Sequence, residues 1–133
     1  MTKIAPKSTR TARPSQGKIL YCEDDRAVMD SQSRVLEKAG YTVELAHGRA
    51  AAEQAFRSGV YDAAVLGHTL SKDARHHLAY MAKKSSEETQ VLVLHASGRH
   101  PAVDLAIDSR QGDAAVLEAL NTVIEQKSLA LAL

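Results

Sequence analysis

Tryptophan is absent from this chain, cysteine and phenylalanine occur once each, and no acidic residue appears before Glu23. A single cysteine, Cys22, cannot close a disulfide within the chain or build a cysteine metal cluster. It lies in an apolar run, where a cysteine packs as a small buried hydrophobe. No apolar stretch approaches the ~18 residues that cross a bilayer. Met1 to Lys18 is polar and basic, without the apolar core of a secretory signal. The expectation is a cytoplasmic protein with no membrane partner. What is present suffices for a core: 133 residues, 44% of them apolar, fit one globular domain.

The net charge of +1 hides an asymmetry. Lys3, Lys7, Arg10, Arg13 and Lys18 all precede the first acid. Without them 12 basic residues face 16 acidic ones, a net of −4. Five cations spread over 18 residues with no aromatic among them make a poor nucleic-acid surface. Residues 1–16, rich in Thr, Ser, Pro and Lys/Arg, are expected to be a disordered, solvated leader.

From Gly17 onward strand and helix signals alternate. Lys18–Cys22 reads as a first strand, with Asp24 or Asp25 able to cap the next helix. That helix carries Val28, Val35, Leu36 and Ala39 and stops at Gly40. Tyr41–Ala46 is a second strand and Arg49–Arg57 a short helix closed by Gly59. Tyr61–Leu66, apolar except for Asp62, reads as a strand covered on both faces. Asp73–Lys84 is a third helix, Gln90–Leu94 a fourth strand, Ser97–Pro101 a loop, and Leu105–Asp108 a weak fifth strand. Asp113–Gln126 is the strongest helix, with Val116, Leu117, Leu120, Val123 and Ile124 in one stripe. The domain is expected over residues 17–127, followed by an apolar tail at 128–133 that could pack on the domain or on a second copy. Such alternation predicts an α/β fold with a doubly wound parallel sheet. Chemistry then gathers at the carboxyl ends of the strands: Glu23, Asp24 and Asp25, then Gly67 and His68, then His95, then Ser109 and Arg110.

The segments Ile19-Leu20-Tyr21-Cys22-Glu23-Asp24-Asp25, Leu36-Glu37-Lys38-Ala39-Gly40-Tyr41-Thr42-Val43 and Tyr61-Asp62-Ala63-Ala64-Val65-Leu66-Gly67-His68-Thr69-Leu70 resemble a response-regulator receiver domain (CheY-like) over roughly Lys18 to Gln126. The resemblance implies a flavodoxin-like sheet of five strands in the order 2-1-3-4-5. The stretch His95–Ile107 leaves room only for a shortened fourth helix. It also implies a chemistry. Two acids after strand one and an aspartate after strand three hold Mg²⁺, and that aspartate takes a phosphoryl group. A hydroxyl after strand four and a lysine after strand five bind the phosphoryl oxygens, and an aromatic on strand five relays the change.

Only the acid pair carries over, as Glu23 and Asp24. The acceptor position is Gly67, the hydroxyl position His95 (with Ser97 close by), the lysine position Ser109 beside Arg110, and the aromatic position Ala106. The proline and glycine of the loop after the acceptor fall on Ser71 and Arg75. A glycine cannot be a nucleophile, and phosphotransfer also needs cations to neutralise developing charge. With two acids only, Mg²⁺ would bind weakly, and no other cofactor is expected. The chain therefore reads as a stand-alone, non-enzymatic pseudo-receiver of two-component (phosphorelay) signalling, a site degenerate at the acceptor. Its partner would be a histidine kinase, another regulator or an output protein, with a homodimer also open.

Two alternatives stand beside this reading. Another acid, Asp73 or Asp108, could accept the phosphoryl group. Or His68 and His95, at the same sheet edge as the acids, could bind Zn²⁺ or sense pH; His95 could equally donate to Glu23 or Asp24 and fill the vacant pocket. His76 and His77 point about 100° apart on a helix and cannot chelate one ion together. A flavin is discounted, since Glu23-Asp24-Asp25 would repel its phosphate.

Overall fold

Along Ile19-Leu20-Tyr21-Cys22 the side chains alternate, Ile19 and Tyr21 to one face of a sheet, Leu20 and Cys22 to the other. All four are fully buried. This strand therefore lies inside the sheet with helices on both sides, as its unbroken apolar sequence requires.

The structure is a computed structural model that describes residues 17–95 and 102–132, with side chains through Lys127. In order come β1 (Lys18–Glu23), α1 (Arg26–Lys38), β2 (Thr42–His47), α2 (Arg49–Ser58), β3 (Ala63–Leu66), α3 (Lys72–Ser85), β4 (Gln90–Val93), β5 (Leu105–Ala106), a 3-10 turn (Ser109–Gln111) and α4 (Asp113–Ala132). The five strands are parallel and ordered β2-β1-β3-β4-β5, as the resemblance implied. One core packs Leu20, Cys22 and Leu66 against Phe56 of α2 and Leu78 of α3. The other packs Ile19, Tyr21 and Val65 against Leu36 of α1 and Val116, Leu120 and Val123 of α4.

The helix starts follow their caps. Asp25 accepts from Val28 N at 3.0 Å, and Ser71 caps α3 by accepting from Ala74 N at 3.1 Å. Gly40, at φ +104°, reverses the chain after α1. β5 is two residues long rather than four, because Asp108 leaves the ladder to cap the 3-10 turn, accepting from Arg110 N at 2.9 Å. α4 runs past Gln126 to Ala132, so the backbone of residues 128–132, expected as a separate tail, continues the helix. The leader, the loop Ser97–Pro101 and most of the shortened fourth helix lie outside the described residues. Among the described residues no helix is long and apolar enough to cross a membrane.

At the opposite end of the sheet, the Tyr61 hydroxyl donates to Glu44 Oε2 at 2.9 Å. Burial first, and then this carboxylate, push the Tyr61 hydroxyl up from 10.0 to about 12. Tyr21 and Tyr41 are also raised, chiefly by burial. Folding then retains protons that the unfolded chain releases, so stability is full below pH 10.0 and declines as pH rises through about 12 for Tyr61. Urea midpoints measured from pH 9 to 12 (a range of about three units around the ordinary tyrosine value) are expected to fall, and to fall less steeply in Tyr61→Phe. Equal slopes in the two proteins would remove Tyr61 from the account.

Candidate functional site

The register sets the geometry of the carboxyl edge. Cys22 pairs with Leu66, and Gly67 N donates to Cys22 O at 2.8 Å. Glu23 and Gly67 are therefore neighbours across adjacent strands, one residue beyond the last printed pair. The Glu23 side chain leans sideways over that neighbour. A Cβ built on Gly67 would lie 1.8 Å from Glu23 Cδ and 2.0 Å from each carboxylate oxygen. A side chain at 67 would therefore force the Glu23 carboxylate, which occupies that volume, to move.

Glu23 is fully buried, yet its charge is well solvated by protein groups. Oε2 accepts from the Tyr21 hydroxyl at 2.5 Å. Oε1 accepts from Thr69 N at 3.0 Å and from Thr69 Oγ1 at 2.5 Å. The Thr69 hydroxyl in turn accepts from the N–H groups of Asp24 at 2.8 Å and Asp25 at 3.0 Å. Its single proton and both lone pairs are thus all used. The guanidinium of Arg75, only 6% exposed, donates to Leu70 O at 2.5 Å and lies within the field of Glu23. Burial lowers the Arg75 pKa and the Glu23 charge partly restores it. These contacts tie the end of β1, the loop 67–71 and the first turn of α3 into one network.

Several sequence expectations change here. Glu23 and Asp24 do not converge on one pocket: Glu23 is enclosed, while Asp24 is exposed and faces away. The space over Gly67 is filled by Glu23 itself, whose partners among the described residues are Tyr21 and Thr69 and not His95. Tyr21, Thr69 and Arg75 were not singled out as site residues. His47 is another such residue; its Nε2 lies 2.9 Å from Asp24 O and its Nδ1 3.2 Å from Arg26 Nη2, linking the end of β2 to the start of α1. A Mg²⁺ site does not fit these residues, because Glu23 would have to surrender three donors and Gly67 brings no third carboxylate.

The remaining expected residues do come together, in a separate open cleft of about 380 Å³ lined by His68, Leu94, His95, Asp108, Ser109 and Arg110. Ser109 Oγ stands 3.3 Å from His68 Nδ1. Arg110 grips Asp108 with Nε at 3.0 Å and Nη2 at 2.6 Å. That grip holds the Asp108 carboxyl down to about 2. As an acceptor Asp108 is therefore engaged on both oxygens, and as a capping residue it is explained. His68 and His95 share the cleft, but among the described residues no three His, Cys, Asp or Glu side chains cluster as a metal site needs. His77 is taken up elsewhere, its Nε2 2.8 Å from Glu53 Oε2 on α2.

No family model matches the chain. The fold, however, has solved counterparts. A CheY-like response regulator receiver domain protein from Methanospirillum hungatei superposes with a TM-score of 0.74 at 19% identity, covering 85% of this chain and 97% of that one. The fold is CheY-like. The response regulator protein TrrA from Thermotoga maritima, solved with Mg²⁺ and BeF, superposes with a TM-score of 0.69 at 19% identity over 80% of this chain and 97% of that one. In sequence the chain is similar to the alginate biosynthesis transcriptional regulatory protein AlgB of Pseudomonas putida, 30% identical over 105 residues. It is similar also to the protein of that name from Pseudomonas syringae, 30% identical over 104 residues. The match covers 79% of this chain but 23% of the P. putida protein, so the chain spans about a quarter of the length of these relatives.

Proposed function

We propose that this receiver domain acts in two-component signal transduction as a pseudo-receiver, docking a signalling protein without phosphorylation at position 67. The observation that carries the reading is the placement of the Glu23 carboxylate on the Cα of Gly67. Phosphoryl transfer to a carboxylate requires an exposed oxygen in line with phosphorus and a metal on the opposite oxygens. Among the described residues, the one carboxylate at this spot is that of Glu23, which is fully buried and accepts three hydrogen bonds. Around it the fixed cation is Arg75, which is buried behind the loop and not directed into the open cleft. The domain keeps the receiver shape and loses the reaction. Its partner is a protein of the same signalling system, met through a surface.

Incubation with acetyl phosphate and Mg²⁺ is expected to leave the intact mass unchanged. An acid-labile gain of about 80 Da, the mass of one phosphoryl group, would overturn the reading, and peptide mapping would then say which acid had reacted.

A further inference from the structure

We infer that the outer face of α2 and α3, centred on Lys84, is a docking surface for an acidic amphipathic helix of a partner protein. This deepens the proposed function and rests on the reading that the domain works by docking. Two clefts flank Lys84. One, of about 540 Å³, is lined among the described residues by Tyr80, Lys83, Lys84, Glu87 and Ala102. The other, of about 380 Å³, lies between the helices and is lined by Phe56, Arg57, Met81, Lys84 and Ser85. Each joins an apolar floor to a cationic rim.

The rim selects the sign of the occupant. Three basic residues line the two clefts against one acid, Glu87. Lys83 is held by Asp104 at 2.6 Å. Among the described residues neither Arg57 nor Lys84 has an ion-pair partner, and both side chains are exposed. Lys84 shares a cleft with Glu87 while Arg57 lines the other, and two such cations are too few for a phosphate backbone but suit carboxylates that bracket an apolar anchor. Tyr80 is 65% exposed, the most exposed large aromatic or aliphatic side chain on this chain's described surface. Such a ring, apolar in body and polar at its tip, is the residue type enriched where partners anchor.

The spacing selects the shape. Tyr80 and Lys84 are one helical turn apart on α3, and Met81 and Ser85 repeat that step along the second cleft. A helix with apolar residues one turn apart and acids between them matches both clefts. The surface is also fixed in advance. His77 Nε2 and Arg49 Nε both reach Glu53 Oε2, at 2.8 and 3.1 Å, tying α3 to α2. A rigid pair of helices loses less freedom on binding.

The test uses the full chain and two synthetic helical peptides of about four turns, with the same leucine pattern. One carries glutamate at its polar positions and the other lysine. Hydrogen exchange and backbone amide NMR are expected to show that only the acidic peptide binds, protecting residues 54–58 and 80–87. Binding is expected to fall about tenfold or more in Lys84→Glu and in Arg57→Glu, exposed positions whose variants stay folded, and to weaken with salt. Equal binding of both peptides, binding of neither, protection on α1 and α4, or a doubled mass without peptide (a second copy on this face) would each overturn the proposal. A phosphoryl adduct in the mass experiment would overturn the proposed function and leave this result untouched.

Discussion

Gly67→Asp is expected to yield a damaged protein and no phosphoacceptor. The substitution looks like a one-residue repair of the site. Its Cβ, however, would meet Glu23 Cδ at 1.8 Å, with both carboxylate oxygens at 2.0 Å. Overpacking a filled interior alone costs about 1–3 kcal/mol. Here the atom displaced belongs to a buried, hydrogen-bonded carboxylate, and the newcomer brings a second negative charge to the same volume. Breaking such a buried arrangement costs about 3–5 kcal/mol. The urea-derived stability is thus expected to fall by about 4 kcal/mol or more, a large share of the roughly 5–15 kcal/mol that holds a domain together. Gly67→Ala removes the charge and keeps the clash, and is expected to lose somewhat less. Combining Gly67→Asp with Glu23→Ala vacates the space, so the double variant is expected to be more stable than the two losses added, by about 2 kcal/mol of coupling. A Gly67→Asp protein as stable as the parent, or strictly additive losses, would show that Glu23 swings aside freely.

Glu23→Ala carries the second large effect. The truncation leaves the Tyr21 hydroxyl, the Thr69 hydroxyl and the Thr69 amide without their acceptor. It also leaves the Arg75 guanidinium buried without the charge that offsets its desolvation. Removing one member of a buried ionic arrangement costs about 3–5 kcal/mol, and that loss is expected in urea unfolding. Glu23→Gln keeps an acceptor oxygen and the shape. Its loss is expected nearer 1–3 kcal/mol, the scale of unsatisfied buried groups. Hydrogen exchange gives the local signature: the Thr69 amide and the first turn of α3 are expected to exchange faster in Glu23→Ala than global destabilisation accounts for. Uniform acceleration across the domain would argue that the network stabilises the fold without fixing the 67–71 loop.

The fold was legible because its signals are local. The apolar runs at β1 and β3, the caps at Asp25 and Gly40, and the stripe through Val116, Leu120 and Val123 depend on neighbours within a few positions. Boundaries slipped where a side chain acted on its own backbone. Asp108 is an example: it reads as strand but caps a turn. The site was legible only in part. That position 67 brings no side chain is written in the sequence, and the grouping of His68, His95, Ser109 and Arg110 follows from strand ends alone. The role of Glu23 was not read, although a signal existed. A glutamate, one methylene longer than aspartate, stands beside a glycine on the adjacent strand, with matching parity in the sheet. Reach and vacancy together pointed to the contact.

By itself the sequence settled that position 67 carries no nucleophile and that strands and helices alternate, because residue identity and short-range periodicity need no third dimension. Only the tertiary structure decided what fills the space above Gly67, which acid is sealed and which exposed, and that Thr69 and Arg75, 46 residues and more along the chain from Glu23, complete its surroundings. Those answers depend on which strands lie side by side and on how far a side chain reaches across them, and hydrogen bonds between residues distant in sequence leave no local trace in it.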